Sequence, residues 1–303
     1  MNAYMMEPLE INAAVPHGDY EVTVSVMAHS DTFLSIFAQN RSFYVRDLRL
    51  FRREEKELTF TVNVCSDIFG TNGIKIQLVC DGDLTATAAV TPVTAPVLYI
   101  CGGSGTAAYP SQYPYDPYAA HCGWGQALPQ FTKGGLSAAN RSLPGSCIAE
   151  FIQTRLAGLR DEIQPGSFAV ISFGDDERTS ESDALDRFGR DMDTVIKAVT
   201  EKGAVPIVCS PINTASDEYV NAAEASARRN GAVFIDLRHI FTGHTDKLGA
   251  DGAQPYILCG SAEHGSLRLN DAGGTLAARL FAREILSRKI PLSRYMDEAA
   301  LCI

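Results

Sequence analysis

A change of hydrophobic period near residue 96 constrains this 303-residue chain more than any other feature. Upstream, Tyr20-Glu21-Val22-Thr23-Val24-Ser25-Val26 alternates with period two, as a strand with one buried face does. Similar runs follow at Thr32–Ala38, Phe43–Arg49, Glu57–Cys65, Gly73–Cys80 and Leu84–Val90. Turn signals separate them at His17-Gly18-Asp19, Gln39-Asn40, Gly70–Gly73 and Asp81-Gly82-Asp83. Short strands at this spacing predict a small β-sandwich over residues 1–95. The prolines of Thr91–Pro96 place a linker there. Downstream, apolar runs at Val97–Ile100, Phe168–Phe173, Val205–Cys209, Val233–Leu237 and Tyr256–Cys259 read as strands. They alternate with helical stretches near Ser146–Glu162, Ser182–Lys202, Asp217–Asn230 and Asp271–Ser287. In the last of these, Ala272, Leu276, Leu280, Phe281 and Ile285 fall close to one helical face. This alternation predicts an α/β domain over residues 96–303, a parallel sheet with helices on both sides. No internal repeat or low-complexity tract is present.

The first strand of that domain, Val97-Leu98-Tyr99-Ile100, runs into Cys101-Gly102-Gly103-Ser104-Gly105-Thr106. Glycines here allow positive φ and close backbone approach. A small polar residue just after a buried strand sits at the carboxyl edge of the sheet, where open α/β folds keep their sites. Ser104 is therefore the first candidate nucleophile. A buried strand followed by a flexible Gly/Ser turn is the structural alternative.

Composition bounds the partners. A net charge of −10 and the lack of any basic run argue against nucleic acid. No stretch of about 18 apolar residues predicts a membrane span. Residues 1–20 show neither a basic n-region nor an apolar h-region, so no signal peptide is read and a cytoplasmic location is expected. The eight cysteines show no metal-ligand spacing. Cys65, Cys80, Cys101, Cys209 and Cys259 lie in or beside apolar runs and read as buried free thiols in a reducing compartment. No cofactor or metal is implied, and the oligomeric state is left open.

Val97–Pro110, VLYICGGSGTAAYP, resembles the first block of the SGNH (GDSL) hydrolases, in particular the rhamnogalacturonan acetylesterase-like branch. There the strand ends in Gly-Asp-Ser-Thr, with a Tyr-Pro soon after. Gly102, Ser104, Ala107, Tyr109 and Pro110 match, while Gly103 and Gly105 replace the Asp and Thr. Gly123-Trp124-Gly125-Gln126-Ala127-Leu128-Pro129 matches a second segment of that branch. Its Trp, the only one in the chain, reads either as a sugar-stacking residue with the aromatics at 109, 113, 115 and 118 or as a packing anchor. In Asn140–Phe151, Asn140, Gly145 and Ser146 fall on family positions. Residues 1 to about 95 resemble the N-terminal β domain of some bacterial relatives, which suggests a bacterial origin.

The resemblance implies a three-layer α/β/α, flavodoxin-like domain behind the sandwich. It implies Ser104 attacking an acetyl carbonyl, with Gly145 N–H as an oxyanion donor and an acetylated glycan as substrate. Ser146 also reads as a helix N-cap. The family's later motifs are altered. Asp176, in Gly174-Asp175-Asp176-Glu177, stands where an oxyanion-donating Asn is expected, and an ionised Asp only accepts hydrogen bonds. A protonated Asp176 would still donate, and three successive acids would alternatively suit a hard cation such as Mg²⁺ or Ca²⁺. Leu269-Asn270-Asp271-Ala272-Gly273 matches the family's final block, yet Arg268 occupies the position of the catalytic His and Gly265 that of its Asp. A guanidinium is no general base near neutral pH.

His264, beside Glu263, is the nearest replacement base. His239 and His244 are weaker candidates, His121 lies beside the Trp124 segment, and His17 and His29 fall in the sandwich. Three readings follow. The first is an active carbohydrate O-deacetylase using Ser104 and a relocated base. The second, preferred here, is a degenerate hydrolase relative that retains a glycan pocket. The third is changed chemistry through Asp175, Asp176, Glu177, Arg268 or His264.

Overall fold

The computed structural model describes residues 8–65, 73–111, 115–177, 183–213, 216–258 and 268–301. Seven antiparallel strands come first: β1 (Leu9–Ala13), β2 (Gly18–Ala28), β3 (Thr32–Ala38), β4 (Ser42–Leu50), β5 (Glu55–Val64), β6 (Ile74–Cys80) and β7 (Leu84–Val93). In β2 the expected alternation buries Tyr20, Val22, Val24, Val26 and Ala28. Full burial of such an aliphatic side chain is worth roughly 1.5–3 kcal/mol. The register Val22↔Phe60 and Val22↔Val90 keeps that apolar face inward. A slip of one residue would turn it outward. These side chains meet Leu34, Ile36, Ile76 and Leu78 from the sheet β1-β6-β3-β4 across the sandwich core.

The α/β part begins at β8 (Val97–Gly102), followed by α1 (Trp124–Ala127), β9 (Ser137–Asn140), α2 (Ile148–Thr154) and α3 (Leu156–Glu162). Then come β10 (Phe168–Ser172), α4 (Ala184–Glu201), β11 (Val205–Cys209), α5 (Asp217–Arg229), β12 (Val233–Ile235), α6 (Leu237–Ala253) and α7 (Asp271–Ser287). Its parallel strands lie in the order β9-β8-β10-β11-β12. This is the flavodoxin-like arrangement, whose order reverses between β8 and β10. Leu98 and Ile100 face the layer that holds Trp124 and Phe281. Val97, Tyr99 and Cys101 face the layer that holds Phe151, Phe188 and Met192. The continuous apolar run is thus explained by burial on both faces, and three α/β/α layers result.

The two parts share one sheet. β5 pairs in parallel with β9 at Val62↔Ala138, giving the order β12-β11-β10-β8-β9-β5-β2-β7. β7 runs on to Val93, so the connection narrows to Thr94–Pro96. Other differences from the sequence reading have local causes. Tyr256 closes a 3-10 turn opened around Pro255, and Ile257 makes only an isolated bridge to Leu269, so the strand expected at Tyr256–Cys259 does not form among the described residues. The helix expected over Ser146–Glu162 breaks at Arg155 (φ −132°), whose guanidinium reaches back to Arg141 O at 2.9 Å. No helix among the described residues is long and apolar enough to cross a membrane.

Candidate active site

Ser104 follows β8 at the switch point of the sheet, as its place in the sequence predicts. The glycines around it serve close approach, and none of Gly102, Gly103 and Gly105 has positive φ. A Cβ on Gly102 would overlap Ser172 O. A Cβ on Gly103 would overlap Asp176 Oδ2, and one on Gly105 would overlap Asp175 Oδ2. The loop after β10 therefore lies directly against the loop after β8, and the missing side chains make room for two carboxylates.

Asp176 uses that room to grip Ser104 twice. The Ser104 hydroxyl donates to Asp176 Oδ1 at 2.7 Å, and the Ser104 N–H donates to Oδ2 at 2.6 Å. Gly145 N–H donates to Ser104 Oγ at 2.9 Å, from a left-handed backbone (φ +76°) at the end of an exposed turn. Tyr109 OH donates to Ser104 O at 3.0 Å. The predicted residues Ser104, Gly145 and Asp176 are thus brought together, but in an unexpected arrangement. Asp176 accepts from the serine instead of facing a substrate oxyanion. Asp175 Oδ1 accepts from Asn213 N–H at 2.8 Å, and Glu177 Oε1 accepts from Ile148 N–H at 3.0 Å. Burial pushes the Glu177 carboxyl up to about 7; the Ile148 N–H opposes this, and Asp176 and Asp191 add to it. The three acids point to three different partners, and no group of three metal-ligating residues exists among the described residues.

Arg268 is exposed and makes no ion pair among the described residues. It lies near enough to disfavour a proton on His121. Burial is the larger cause, Arg41 adds a little, and together they bring His121 down to about 4. The neutral His121 ring stacks on Tyr109 at 3.7 Å between centroids. No imidazole hydrogen-bonds to Ser104 among the described residues. His264, Glu263 and Gly265 lie outside them, as do Tyr113 and Cys259. His239 and His244 sit on α6, and His29 bonds Thr85 in the sandwich at 3.2 Å. Trp124 is fully buried and packs on Phe281 at 5.1 Å, so it is an anchor and does not reach a sugar. Asn140 is structural: its amide donates to Thr106 O at 2.8 Å. Ser146 does not cap α2; Cys147 holds the N-cap position, without a side-chain bond.

The residue that sequence reasoning missed is Arg41, in the turn between β3 and β4. It is 2% exposed and has left-handed φ (+61°). Its guanidinium donates to both carboxylate oxygens of Asp271 at 2.8 and 2.9 Å, to Tyr109 O at 2.7 Å and to His121 O at 2.9 Å. Burial opposes its charge, but Asp271, Tyr115 and Cys122 together more than offset this. Gln126 completes the clamp: its amide donates to Arg41 O and Tyr109 O and accepts from Tyr109 N–H. The sandwich thus holds the Tyr109–His121 shelf beside Ser104. Nothing in the local sequence pairs residue 41 with residue 271.

No family model and no curated protein matches the sequence. Among solved structures, protein YxiM from Bacillus subtilis overlays with a TM-score of 0.59 at 21% identity, over 94% of this chain and 81% of its own. That likeness extends through both parts of the fold. A lipase/acylhydrolase from Enterococcus faecalis overlays at a TM-score of 0.43 and 16% identity, over 64% of this chain and 96% of its own. A lipolytic protein of the G-D-S-L family from Veillonella parvula overlays at 0.47 and 16%, over 64% of this chain and 100% of its own.

Proposed function

We propose, taking the SGNH hydrolase-like fold of the chain as the premise, that this is a hydrolase relative whose ester-cleaving chemistry is switched off and whose cleft binds a carbohydrate ligand. One observation carries the reading: the Asp176 carboxylate occupies both the hydroxyl and the N–H of Ser104. An oxyanion forming there would meet a negative charge and find the Ser104 N–H already engaged. Removing a single oxyanion donor typically costs about 10²–10³ in rate. Arg268, in the place of the general base, cannot accept a proton near neutral pH. The thiols of Cys80, Cys101, Cys122, Cys147 and Cys209 are unbridged, which suits the reducing cytoplasm.

The test is hydrolysis of p-nitrophenyl acetate by the wild type and by Ser104→Ala. Equal rates are expected, and Ser104-dependent turnover would overturn the reading. The 2.7 Å contact also supports a second reading, an active serine hydrolase in which Asp176 itself takes the serine proton. Asp176→Asn separates the two.

A further inference from the structure

The loop after β10, the start of α2 and the first turns of α4 enclose a cleft of about 390 Å³. That is within the roughly 300–1,000 Å³ typical of small-ligand sites. The cleft adjoins Ser104 through both partners of its hydroxyl, since Asp176 and Gly145 each form part of the wall. Ile148 and Phe188 supply an apolar floor. Its wall carries three acidic side chains, Asp176, Glu177 and Asp191, against one guanidinium, Arg187, which lies 3.8 Å from Asp183; Arg187 and the neighbouring Arg190 both act on Asp191 from the helix side. Charges in a concave, partly desolvated wall focus their field on what enters. The geometry points to a binding site for a small ligand that carries a protonated amine, with the three carboxylates as its partners and Phe188 and Ile148 beneath its apolar face.

This specifies the ligand for the binding role proposed above and rests on that reading. It also sets the cleft against uronate-bearing, pectin-type glycans, whose carboxylates would meet like charge. Burial raises the Glu177 carboxyl to about 7, so near neutral pH it is only partly ionised, and an ammonium seated beside it favours its charged form. An amino sugar and a linear polyamine share the required ammonium.

Calorimetric titration near neutral pH with three disaccharides of similar size tests the inference. Di-glucosamine is cationic, its N-acetylated counterpart neutral and digalacturonic acid anionic. Di-glucosamine is expected to bind about tenfold more tightly than the neutral sugar, with no binding of the acid. Asp191→Asn and Glu177→Gln, each checked for an unchanged circular dichroism spectrum, should each weaken it several-fold. Equal affinity for all three sugars, or wild-type affinity in both variants, would overturn the inference. Spermidine run in parallel identifies the source: tighter binding of either amine supports the ammonium site and names its kind. The two readings fail separately. Ser104-dependent turnover with amine binding intact removes the switched-off reading alone. Absence of both turnover and charge preference removes the amine site alone.

Discussion

Replacing Asp176 by Asn changes a charge while keeping nearly the same shape. The wild-type carboxylate accepts two hydrogen bonds from Ser104, at 2.7 and 2.6 Å. A bond to a charged group is worth about 1.5–3 kcal/mol and a neutral one about 0.5–1.5 kcal/mol. An Asn keeps one acceptor for the Ser104 N–H and turns its NH₂ toward Oγ, so each bond weakens by about 1 kcal/mol. The site is partly solvated, which reduces the total to about 1 kcal/mol, or a drop of about 2–4 °C in Tm. The same change removes the negative charge and supplies an amide donor where the oxyanion forms. A donor there is worth about 10²–10³ in rate. With no base on Ser104, only a Ser104-dependent background emerges, at least about tenfold above the Ser104→Ala/Asp176→Asn double variant. The assay is p-nitrophenyl acetate hydrolysis by wild type, both single variants and the double, with Tm from calorimetry. Wild-type turnover that vanishes in both Ser104→Ala and Asp176→Asn would refute the reasoning, because Asp176 would then be the proton acceptor.

Three further outcomes follow from the structure. Glu177 is raised from its ordinary 4.5 to about 7, so the folded state holds a proton that the unfolded chain has lost, and stability falls as pH rises through that window. Glu177→Gln should therefore stabilise the protein by about 2 kcal/mol at pH 8 and by almost nothing at pH 4, measured by urea unfolding. The His121 imidazole should stay neutral down to about pH 4 by NMR titration and shift upward in Arg268→Gln; it contributes stability above its ordinary 6.5 that is lost as pH falls toward 4, and a midpoint near 6.5 would contradict the stacked, buried ring. Arg41→Ala leaves the buried Asp271 carboxylate without its main partner and should cost about 3–5 kcal/mol, with Arg41→Ala/Asp271→Ala costing less than the sum of the singles; additive losses would show that the pair does not couple.

The main strands were legible because burial imposes a period: β3 and β11 fall where Thr32–Ala38 and Val205–Cys209 read as strands, and α4 and α7 match within two residues. Ser104 was legible because a small polar residue at the end of a doubly buried strand has few other reasons to be there. What escaped depends on partners far away in sequence. β9 is only Ser-Ala-Ala-Asn, with no pattern of its own, and is a strand because β8 and β5 lie on either side of it. The glycines and polar residues of α6 obscure a helix that breaks at Gly249 (φ +71°). Asp176 could be placed beside the site by its motif, but its double bond to Ser104 depends on the absence of side chains at 103 and 105, which only the fold reveals.

The β5–β9 seam bears on any attempt to divide the molecule. Cutting the chain at Thr94–Pro96 would strip β9 of its neighbour and leave an uncharged Ser-Ala-Ala edge open to other chains. It would also take Arg41 away from Tyr109 and His121. The C-terminal fragment, though it contains Ser104 and the whole parallel sheet, would be prone to aggregate and would carry a slack pocket, whereas co-expressed halves have a ready-made strand pairing through which to reassemble.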